Sequence, residues 1–497
     1  MADYFYDSIP AEEREKLNYI PTLSEFVEWI RKNFGKNPAL ADLEKTYNYE
    51  EMCHRIALRR DYINSLKLKR GSHIAVMDRN SINAIEMFLA ITTSGNVAIM
   101  LPNALPEAAI IGCTQKFDID YLFYGSVFEK VCANAPCPKA SVEIMGQDEA
   151  PVVSVDKEEP AAIFFTGGTT GAPKGVVLPH RALMRGAYNG CFMPGKVLGC
   201  QRYIAFLPLS HVFGMIRGTL SVLHTGSLIY SCEDMKAGIQ NLPKMRPTCL
   251  VLVPGICEIL LGLIRMYGEK FLGGELRTII AGAANVPPRQ IAEFEKLGVK
   301  LLGGYGMTEG ANLTTGNIDV DTHPTSVGKL YTGQEAKIVD GELWFRGDNL
   351  MLGYYKDEAA TKAALTEDGW LKTGDLARID EDGFVYIVGR IKNLIILANG
   401  ENVSPENIEE LFYKDARVKD CLVFEDKVND IPCIAIDILP QPDFMSSQNW
   451  EEVEKAMHQL VADINKTLPS THQIAQIHVR QNDFKRTGSM KVSRNQN

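Results

Sequence analysis

The sequence predicts an α/β protein of at least two domains, with parallel sheets in its long first part. Short apolar segments alternate with helical segments up to about residue 326, shorter turn-bounded segments follow, and a compact βα pattern begins at Asn393. Strands that alternate with helices are typical of layered parallel sheets. A chain of 497 residues also exceeds one ordinary hydrophobic core, which is why more than one domain is expected.

The elements of the first part can be placed in order along the chain. Residues 22–70 are predicted to be helical, because Leu23, Phe26 and Ile30 recur at helical spacing. A further helix is predicted at Ala84–Ser94. Short apolar runs predict buried strands at His73–Met77, Val97–Leu101, Tyr121–Tyr124, Ala161–Phe165, Tyr203–Phe206, Ser227–Ile229, Cys249–Val253, Thr278–Ala281 and Lys300–Gly303.

After about residue 326 the pattern changes to short segments separated by turn residues. Such segments occur at 337–340, 343–346, 377–380 and 384–388, and they predict antiparallel strands in a small barrel-like subdomain. From Asn393 the remaining chain has about the size of an independent domain. We therefore place the domain boundary at Gly389–Lys392, which gives domains of residues 1–391 and 392–497.

Composition excludes several classes of protein. A hydrophobic content of 45% and a charged content of 23% are typical of a soluble globular protein, and a net charge of −10 argues against general nucleic-acid binding. We find no apolar run of membrane-spanning length and no secretory signal at the start. The eleven cysteines are scattered without a Cys-x-x-Cys pair, which suits reduced thiols in a cytoplasmic protein and argues against structural zinc.

Residues 163–175 form an apolar run that ends in a loop rich in glycine and threonine. Glycines permit positive φ and close approach to a ligand, hydroxyls donate hydrogen bonds, and a lysine adds positive charge. The residues concerned are Thr166, Gly167, Gly168, Thr169, Thr170, Gly171 and Lys174. A polyphosphate is the simplest ligand for such a loop. The loop is not a Walker A motif, because no Gly-Lys-Ser/Thr follows at the required spacing.

The loop resembles the phosphate-binding signature of the adenylate-forming superfamily, which includes acyl-CoA synthetases, adenylation domains of peptide synthetases and beetle luciferase. The family pattern is Thr-Ser/Gly-Gly-Ser/Thr-Thr-Gly-x-Pro-Lys-Gly, and residues 166–175 fit it throughout. Taken alone, the segment is also compatible with a flexible surface loop. Later motifs, which follow in the family's order, favour the resemblance.

A second motif, Gly-Gly-Tyr-Gly-Met-Thr-Glu at residues 303–309, lies at the end of the strand predicted at Lys300–Gly303. A tyrosine ring can stack on a purine, a threonine can donate to a phosphate, and a carboxylate can hold Mg²⁺ beside phosphates. The resemblance implies that Tyr305 borders the adenine, Thr308 meets the α-phosphate and Glu309 binds the metal. It further implies nucleotide contacts at Gly304, Gly306, Met307, Gly282, Ala283 and Ala284.

Downstream motifs add the ribose contact and a hinge. A short acidic side chain such as that of Asp375, in Thr373-Gly374-Asp375, can accept both ribose hydroxyls, although a lone Asp in a turn more often binds its own backbone. The family uses this Asp for the ribose, with the arginine that matches Arg390. Lys392 falls at the family's hinge position. The segment that begins Gly400, Glu401 and Asn402 resembles the loop used in the second half-reaction.

Two further motifs complete the resemblance. His211, in Pro208–Gly214, matches a family histidine near the carboxylate end of the acyl pocket, whereas an isolated histidine is more often a core or capping residue. Lys491 matches the family lysine that bridges the reacting carboxylate and the α-phosphate. Lys485 and Met490 depart from the family's Pro and Gly, which puts the geometry of this last segment in question.

The resemblance covers about residues 20–494 and implies a fold and an activity. The fold is a large N-terminal domain of stacked α/β sheets with a small, mobile α+β lid. The activity is AMP-forming acid–thiol ligation: Mg²⁺-ATP and a carboxylic acid give acyl-AMP and pyrophosphate, and the acyl group then passes to CoA. Lys491, Thr308, Glu309 and His211 are the expected catalytic residues.

The sequence leaves the substrates open. We expect a medium or long fatty acid, because Gly306 stands where acetate-activating relatives carry a Trp that shortens the pocket. The sequence Gly-Tyr-Gly-Met-Thr-Glu, which contains Gly306, also occurs in aryl-CoA ligases. The phosphopantetheine of an acyl carrier protein is an alternative acceptor. An inactive nucleotide-binding interaction protein and a luciferase-like oxidase are further alternatives, and oligomeric state is left open.

Overall fold

The structure is a computed structural model that describes residues 17–166, 174–193, 196–197, 201–312, 314–397, 401–428, 431–486 and 492–494. Within these ranges, no helix has the length and apolar character needed to cross a membrane. The α-helices span Leu23–Phe34, Tyr49–Ser65, Ile82–Thr93, Glu107–Lys116, Glu129–Cys132, His180–Cys191, Ser221–His224, Met235–Met245, Pro254–Tyr267, Pro288–Lys296, Glu358–Ala364, Pro405–Phe412, Pro442–Ser447 and Trp450–Asn465. Residues Phe213–Leu220 form a π-helix.

A seven-stranded sheet contains the two strands that come before and after the predicted phosphate loop. Its strands, from edge to edge, are Gly353–Tyr354, Lys174–Pro179, Pro160–Thr166, Val97–Met100, His73–Met77, Ile119–Tyr124 and Lys139–Ser141. The last five are parallel, which confirms the pairing predicted from the alternating pattern. Lys174–Pro179 instead returns antiparallel beside Pro160–Thr166, so that Thr166 lies opposite Lys174.

Two mixed sheets make up the rest of the α/β region. A five-stranded sheet contains Cys249–Leu252, Thr278–Ala281, Lys300–Tyr305, Thr315–Asn317 and Lys329–Leu330, of which the first three are parallel. A four-stranded sheet contains Arg202–Ile204, Leu228–Tyr230, Pro38–Ala41 and Thr46–Asn48. The largest hydrophobic cluster joins all three sheets, and Phe164, Leu250 and Ile229 are among its buried members.

The prediction of continuous helix over residues 22–70 is wrong. The periodic residues Leu23, Phe26 and Ile30 are fully buried, but they cover only the first helix, Leu23–Phe34. Pro38–Ala41 is a strand because it pairs with Leu228–Tyr230, a partner that local spacing cannot reveal. The next helix begins after Asn48, whose side chain forms a capping box with Glu51.

The turn-rich region forms an antiparallel sheet of four strands: Glu335–Val339, Glu342–Arg346, Leu371–Ile379 and Val385–Arg390. The antiparallel prediction is confirmed, but among the described residues the sheet stays open and does not form the expected barrel-like closure. Its outer edge is occupied, because Val385 bridges Gly328 and accepts the Ser326 hydroxyl at 2.8 Å.

The last part of the chain has its own hydrophobic cluster. Its sheet contains Val418–Val428, Ile431–Pro440 and Ile474–Val479, and a short pair, Ile395–Ile396 with Asn402–Val403, precedes it. Phe412, Val423 and Val461 are buried in this cluster. A separate core is typical of an independent folding unit.

Candidate functional site

Three predicted site residues meet around the carboxylate of Asp375. Asp375 lies on the strand Leu371–Ile379 directly opposite Arg390 and is only 1% exposed. The hydroxyl of Tyr305 donates to its Oδ2 at 2.6 Å, and Arg390 donates to Oδ1 at 2.5 Å and to Oδ2 at 3.3 Å. These residues come from two different sheets, so the contact is purely tertiary.

The Thr-Gly-Asp sequence suggested that Asp375 lies in a turn. In the structure it lies in the strand Leu371–Ile379. Gly374 provides the necessary backbone freedom with φ at +70°, and its N–H donates to Glu342 at 2.7 Å. The N–H of Asp375 donates to the hydroxyl of Thr373 at 3.0 Å. The side chain is thereby left to bind Tyr305 and Arg390, which is not the behaviour of a self-bonded turn residue.

The protonation states in this cluster follow from burial and charge. Burial raises the pKa of Tyr305 well above its usual value, and the charge on Asp375 raises it further. Burial lowers the pKa of Arg390, but Asp375 more than offsets this, so the net shift is upward. A protonated tyrosine and a charged guanidinium therefore flank a carboxylate. Together they offer both donors and acceptors to a polyhydroxyl ligand.

A second group centres on Glu309, at the end of the strand Lys300–Tyr305. Glu309 is 8% exposed, and its Oε1 accepts from the Tyr354 hydroxyl at 2.7 Å. The Lys174 ammonium lies 4.8 Å from the centre of the Tyr354 ring. Burial, followed by the charge on Glu309, raises the pKa of Tyr354. A cation and an anion expected to handle phosphate thus lie against one aromatic side chain.

Sequence reasoning missed Tyr354 and Glu342. Tyr354 reaches the site because Gly353–Tyr354 pairs with the strand Lys174–Pro179. Nothing in the local Gly-Tyr-Tyr wording signals this pairing. Glu342 supports the backbone at Gly374, a role visible only once the strands are in register.

Lys392 lies within electrostatic reach of both groups. Partial burial lowers its pKa, and the charge on Arg390 lowers it further, whereas Asp375 and Glu309 act in the opposite direction. It occupies a short 3₁₀ turn, Ile391–Asn393, that directly follows the strand bearing Arg390. The predicted hinge residue is therefore close to the predicted nucleotide ligands.

The predicted adenine and acyl segments meet at Phe213. A Cβ added to Gly282 would lie 3.0 Å from the Phe213 ring, so Gly282 and this ring are in close contact. Ala283 adopts φ of +66°, an uncommon conformation for alanine. The Nδ1 of His211 accepts from the Phe213 N–H at 3.3 Å, which holds the imidazole beside this junction.

The other predicted residues of the N-terminal part differ in how deeply they are buried. Gly304 has no room for a side chain, because a Cβ there would lie 2.9 Å from the carbonyl oxygen of Thr315. Met307 and Gly306 are half-buried, Thr308 is buried and begins a 3₁₀ turn, and Ala284 is exposed. Thr166 is half-buried at the end of its strand.

The remaining predicted residues divide between the C-terminal part and undescribed positions. Asn402 pairs with Ile396, and Glu401 lies 3.5 Å from His472. The nearby Ser404 hydroxyl donates to the carbonyl of Val388 at 2.8 Å. Outside the described residues lie Gly167, Gly168, Thr169, Thr170, Gly171, Gly400 and Lys491.

The comparison with protein families finds matches over most of the chain. Residues 27–355 match the AMP-binding enzyme family, and residues 392–497 match the AMP-binding enzyme C-terminal domain. The first match alone covers well over half of the chain.

Curated relatives and solved structures agree with this match. A peroxisomal OPC-8:0-CoA ligase from Arabidopsis thaliana is 33% identical over 293 residues, which cover 55% of this chain and 54% of the relative. A peroxisomal long chain acyl-CoA synthetase from the same plant is 30% identical over 350 residues, covering 58% of this chain and 49% of the relative. The chain thus spans about half the length of the curated relatives it matches.

Similarity to solved structures extends over nearly the whole chain. The crystal structure of an anthranilate CoA ligase in complex with anthranoyl-AMP superposes with a TM-score of 0.84 at 17% identity, covering 96% of each chain. At this identity the superposition establishes the shared fold of a large and a small domain.

Proposed function

This chain belongs to the AMP-binding enzyme family, and we propose that it is an AMP-forming acid–thiol ligase. A carboxylate oxygen attacks the α-phosphorus of ATP, the bond to the outer phosphates breaks, and pyrophosphate leaves. A thiol then attacks the acyl carbon of the acyl-AMP, and AMP departs as the thioester forms. CoA is the proposed thiol.

The Tyr305–Asp375–Arg390 cluster is the observation that carries the proposal. Its buried carboxylate presents oxygens that suit ribose hydroxyls, and its guanidinium suits a neighbouring phosphate. Catalysis in such a site consists mainly of positioning and of charge placed where it develops. We assign the adenine contact to Tyr305 and to the segment of Gly282 and Ala283, and the α-phosphate contact to Thr308.

The residues around Glu309 fit a magnesium ion. Mg²⁺ in nucleotide sites is usually held by one or two carboxylates together with phosphate oxygens and water. Glu309 supplies one such carboxylate, and the described residues contain no cluster of three acidic, histidine or cysteine ligands. When bound, the ion would neutralise charge on the outer phosphates. Lys174 and the segment 166–171 are proposed to share this task, and Lys491 is proposed to stabilise the α-phosphate.

We propose a mobile C-terminal lid that begins at Lys392, with the N-terminal domain ending at residue 391. One pocket that serves two reactions needs a movement between them. The lid would bring Lys491 to the site for adenylation, and Gly400, Glu401 and Asn402 for thioester formation. The Ser404 hydroxyl, two residues after Asn402, donates to the carbonyl of Val388, which supports this assignment of the segment.

The reaction type leaves several acids and two thiol acceptors to choose between. A medium or long fatty acid remains the expectation from sequence, and the long-chain and OPC-8:0 relatives support it. An aryl acid is the alternative favoured by the likeness to the anthranilate CoA ligase. A carrier-protein phosphopantetheine would replace CoA without changing the first step. A cytoplasmic location stays a prediction, because both curated relatives named above are peroxisomal.

Pyrophosphate exchange with Mg²⁺-ATP and a panel of acids tests the proposal. We expect exchange with at least one acid, and Asp375→Asn should lower it by about 100-fold or more, because a buried charged partner of Arg390 is lost. Asp382→Asn, on an exposed turn, is the matched control and should behave like the wild type. A wild-type protein that supports no exchange and forms no AMP with any acid would refute the proposal.

A further inference from the structure

Arg217 is a buried cation in the π-helix Phe213–Leu220 that the proposed function does not use. The residue is 1% exposed. Its Nε and Nη2 atoms have no hydrogen-bond partner in the described structure. An arginine remains charged at any physiological pH, so this is a buried positive charge with idle donors. Each such donor carries a substantial desolvation cost.

The two idle atoms are the pair that binds carboxylates elsewhere in this molecule. Nε and Nη2 form one edge of the guanidinium and can donate side by side to two oxygens. This edge binds both oxygens of an acidic side chain in Arg55, Arg70, Arg346, Arg390 and Arg417. In Arg217 the same edge binds no acidic side chain of the described residues, although Tyr203 lies within hydrogen-bonding reach of the guanidinium.

No acidic side chain compensates the charge of Arg217 among its described neighbours. Burial lowers the pKa of Arg217, whereas Tyr203, Cys249 and Tyr331 raise it, with Tyr203 also forming a side-chain hydrogen bond. None of these three groups is ionised near neutral pH. A buried ion without a partner is strongly unfavourable, whereas a ligand carboxylate would supply both the missing charge and the missing acceptors. The unmet requirement therefore points to an anionic ligand group.

The position of Arg217 connects it to the proposed acyl site. Arg217 follows Phe213 by four residues, about one turn of a π-helix, so the two lie near one face of it. Phe213 packs against Gly282, and His211 binds the Phe213 backbone. The helix thus leads from the proposed reacting end toward Arg217.

A second chain of contacts leads to the same place from Tyr305. The N–H of Thr314 donates to the carbonyl of Tyr305 at 3.0 Å, and the N–H of Tyr331 donates to the carbonyl of Thr314 at 3.1 Å. Tyr331 is one of the groups that act on Arg217. The hydroxyl of Thr314 is itself fully buried and has no partner in the described structure. Arg217 is therefore within electrostatic range of a residue whose backbone is two hydrogen bonds removed from Tyr305.

We propose that the acid activated by this protein is a dicarboxylic acid whose second, unreactive carboxylate binds the Nε–Nη2 edge of Arg217. The proposal rests on the proposed ligase function and replaces the fatty acid expected from sequence with a dicarboxylic acid. One carboxylate would react near His211 and Gly282, and the other would neutralise Arg217. Arg217 would then select against simple fatty acids, since an apolar chain end leaves the buried charge without a partner.

Matched acids of equal length test this assignment in pyrophosphate exchange. Adipate against hexanoate, and suberate against octanoate, change only the far end of the chain. For the wild type we expect kcat/KM to be at least about 30-fold higher for one of the dicarboxylates than for its monocarboxylate. In Arg217→Met that preference should disappear or reverse, and Arg217→Lys, which keeps the charge without the edge, should fall between the two.

Controls separate a specificity role from a structural one. Arg265→Met removes an exposed arginine that pairs with Glu293 on an outer helix, and it should keep the wild-type ratio. If Arg217→Met fails to fold, as thermal unfolding would reveal, the wild-type ratio for matched acids still decides. Equal or higher activity with the monocarboxylates overturns the inference while leaving the ligase function intact. Preference for ω-hydroxy or keto acids over dicarboxylates also overturns it. Absence of exchange with every acid refutes the ligase function itself.

Discussion

At the scale of single residues, the site depends on side chains whose polar atoms are directed by tertiary partners. Asp375 is oriented by Tyr305 and Arg390, and Glu309 is oriented by Tyr354. In both places an aromatic hydroxyl donates to a buried carboxylate. Such bonds to charged acceptors are stronger than those between neutral groups, and they limit the directions in which the carboxylate can point.

The Tyr354 hydroxyl should therefore matter for the use of Mg²⁺-ATP. Tyr354→Phe removes the donor to Glu309 and keeps the ring beside Lys174. We expect kcat/KM for Mg²⁺-ATP to fall about 10-fold, which corresponds to one bond to a charged group. Tyr355→Phe is the matched control, because its hydroxyl donates to the exposed Asp118 at 2.6 Å. A similar loss in both variants would contradict a specific role for Tyr354.

At the scale of elements, strand contacts close to the site tolerate no additional atoms. Gly328 adopts φ of +92°, and a Cβ there would lie 2.0 Å from the carbonyl oxygen of Gly316. This oxygen belongs to backbone and cannot move aside. The contact joins the five-stranded sheet to the antiparallel sheet that carries Asp375 and Arg390, so the relative placement of the two sheets depends on it.

Gly328→Ala should lower the free energy of unfolding much more than an alanine at another glycine with positive φ. Gly333 also has positive φ, at +82°, but no atom lies within 4 Å of the position that a Cβ would take there. We expect Gly333→Ala to lower the free energy of unfolding by about 1 kcal/mol, from backbone strain alone. Gly328→Ala should cost at least about 3 kcal/mol, since strain and overlap add. Chemical denaturation measures both, and equal costs would contradict the steric account.

In the C-terminal part, the helix Pro405–Phe412 is tied to the end of the chain through Arg494. The guanidinium of Arg494 donates to Glu406 at 2.9 Å, to Glu409 at 3.0 Å and to the carbonyl of Val423 at 2.9 Å. Glu409 also accepts from the Val423 N–H at 2.8 Å. The network anchors the residues that follow Lys491 onto the helix that follows the proposed thioester segment.

Glu409 gives this network a pH dependence. Burial raises the pKa of Glu409 to about 7, although Arg494 opposes the shift. A carboxyl group with a raised folded-state pKa stabilises the fold below its unfolded pKa, and this contribution is lost as pH rises through about 7. Between pH 4.5 and 7, titration of Glu409 should lower the free energy of unfolding of the wild type by up to about 3 kcal/mol. This pH-dependent loss should be absent in Glu409→Gln.

Unfolding of wild type and Glu409→Gln as a function of pH isolates this contribution from other titrating groups. Glu410→Gln, at the adjacent helix position, should reproduce the wild-type profile. If the profiles of Glu409→Gln and the wild type run parallel over this range, Glu409 does not titrate as its burial predicts.

At the scale of the whole molecule, the proposed two-step reaction requires the C-terminal lid to bring different residues to the site in each step. Lys491→Ala should abolish formation of acyl-AMP, because a positive charge at the α-phosphate is lost. It should spare thioester formation from preformed acyl-AMP, which on this proposal uses the segment beginning at Gly400. Measuring each half-reaction separately, with Lys485→Ala as a nearby control, checks the division. Equal loss of both half-reactions would count against it.

Much of the fold and site was predictable because the relevant signals are local. The parallel strands Pro160–Thr166, Val97–Met100, His73–Met77 and Ile119–Tyr124 follow from apolar runs alternating with helices, whereas Lys139–Ser141 was not predicted. The motif residues at Tyr305, Glu309, Asp375 and Arg390 could be named because each lies in a short segment that resembles a family motif, and their roles stay predictions. The helix predicted across residues 35–48 was wrong, because Pro38–Ala41 is stabilised by a strand almost two hundred residues away. Barrel-like closure was also expected, but contacts from Ser326 and Gly328 occupy that edge.

The sequence by itself determined the family motifs, which are a loop rich in glycine and threonine and acidic and basic residues in a fixed order, and the alternating elements that build α/β layers. Only the tertiary structure decided which of these groups meet, and it added Tyr354 beside Glu309 and Arg217 in the interior. The physical reason is that motifs and periodicity act over a few residues, whereas strand register and burial depend on partners far along the chain. Register places Asp375 opposite Arg390, and burial removes the Arg217 guanidinium from solvent.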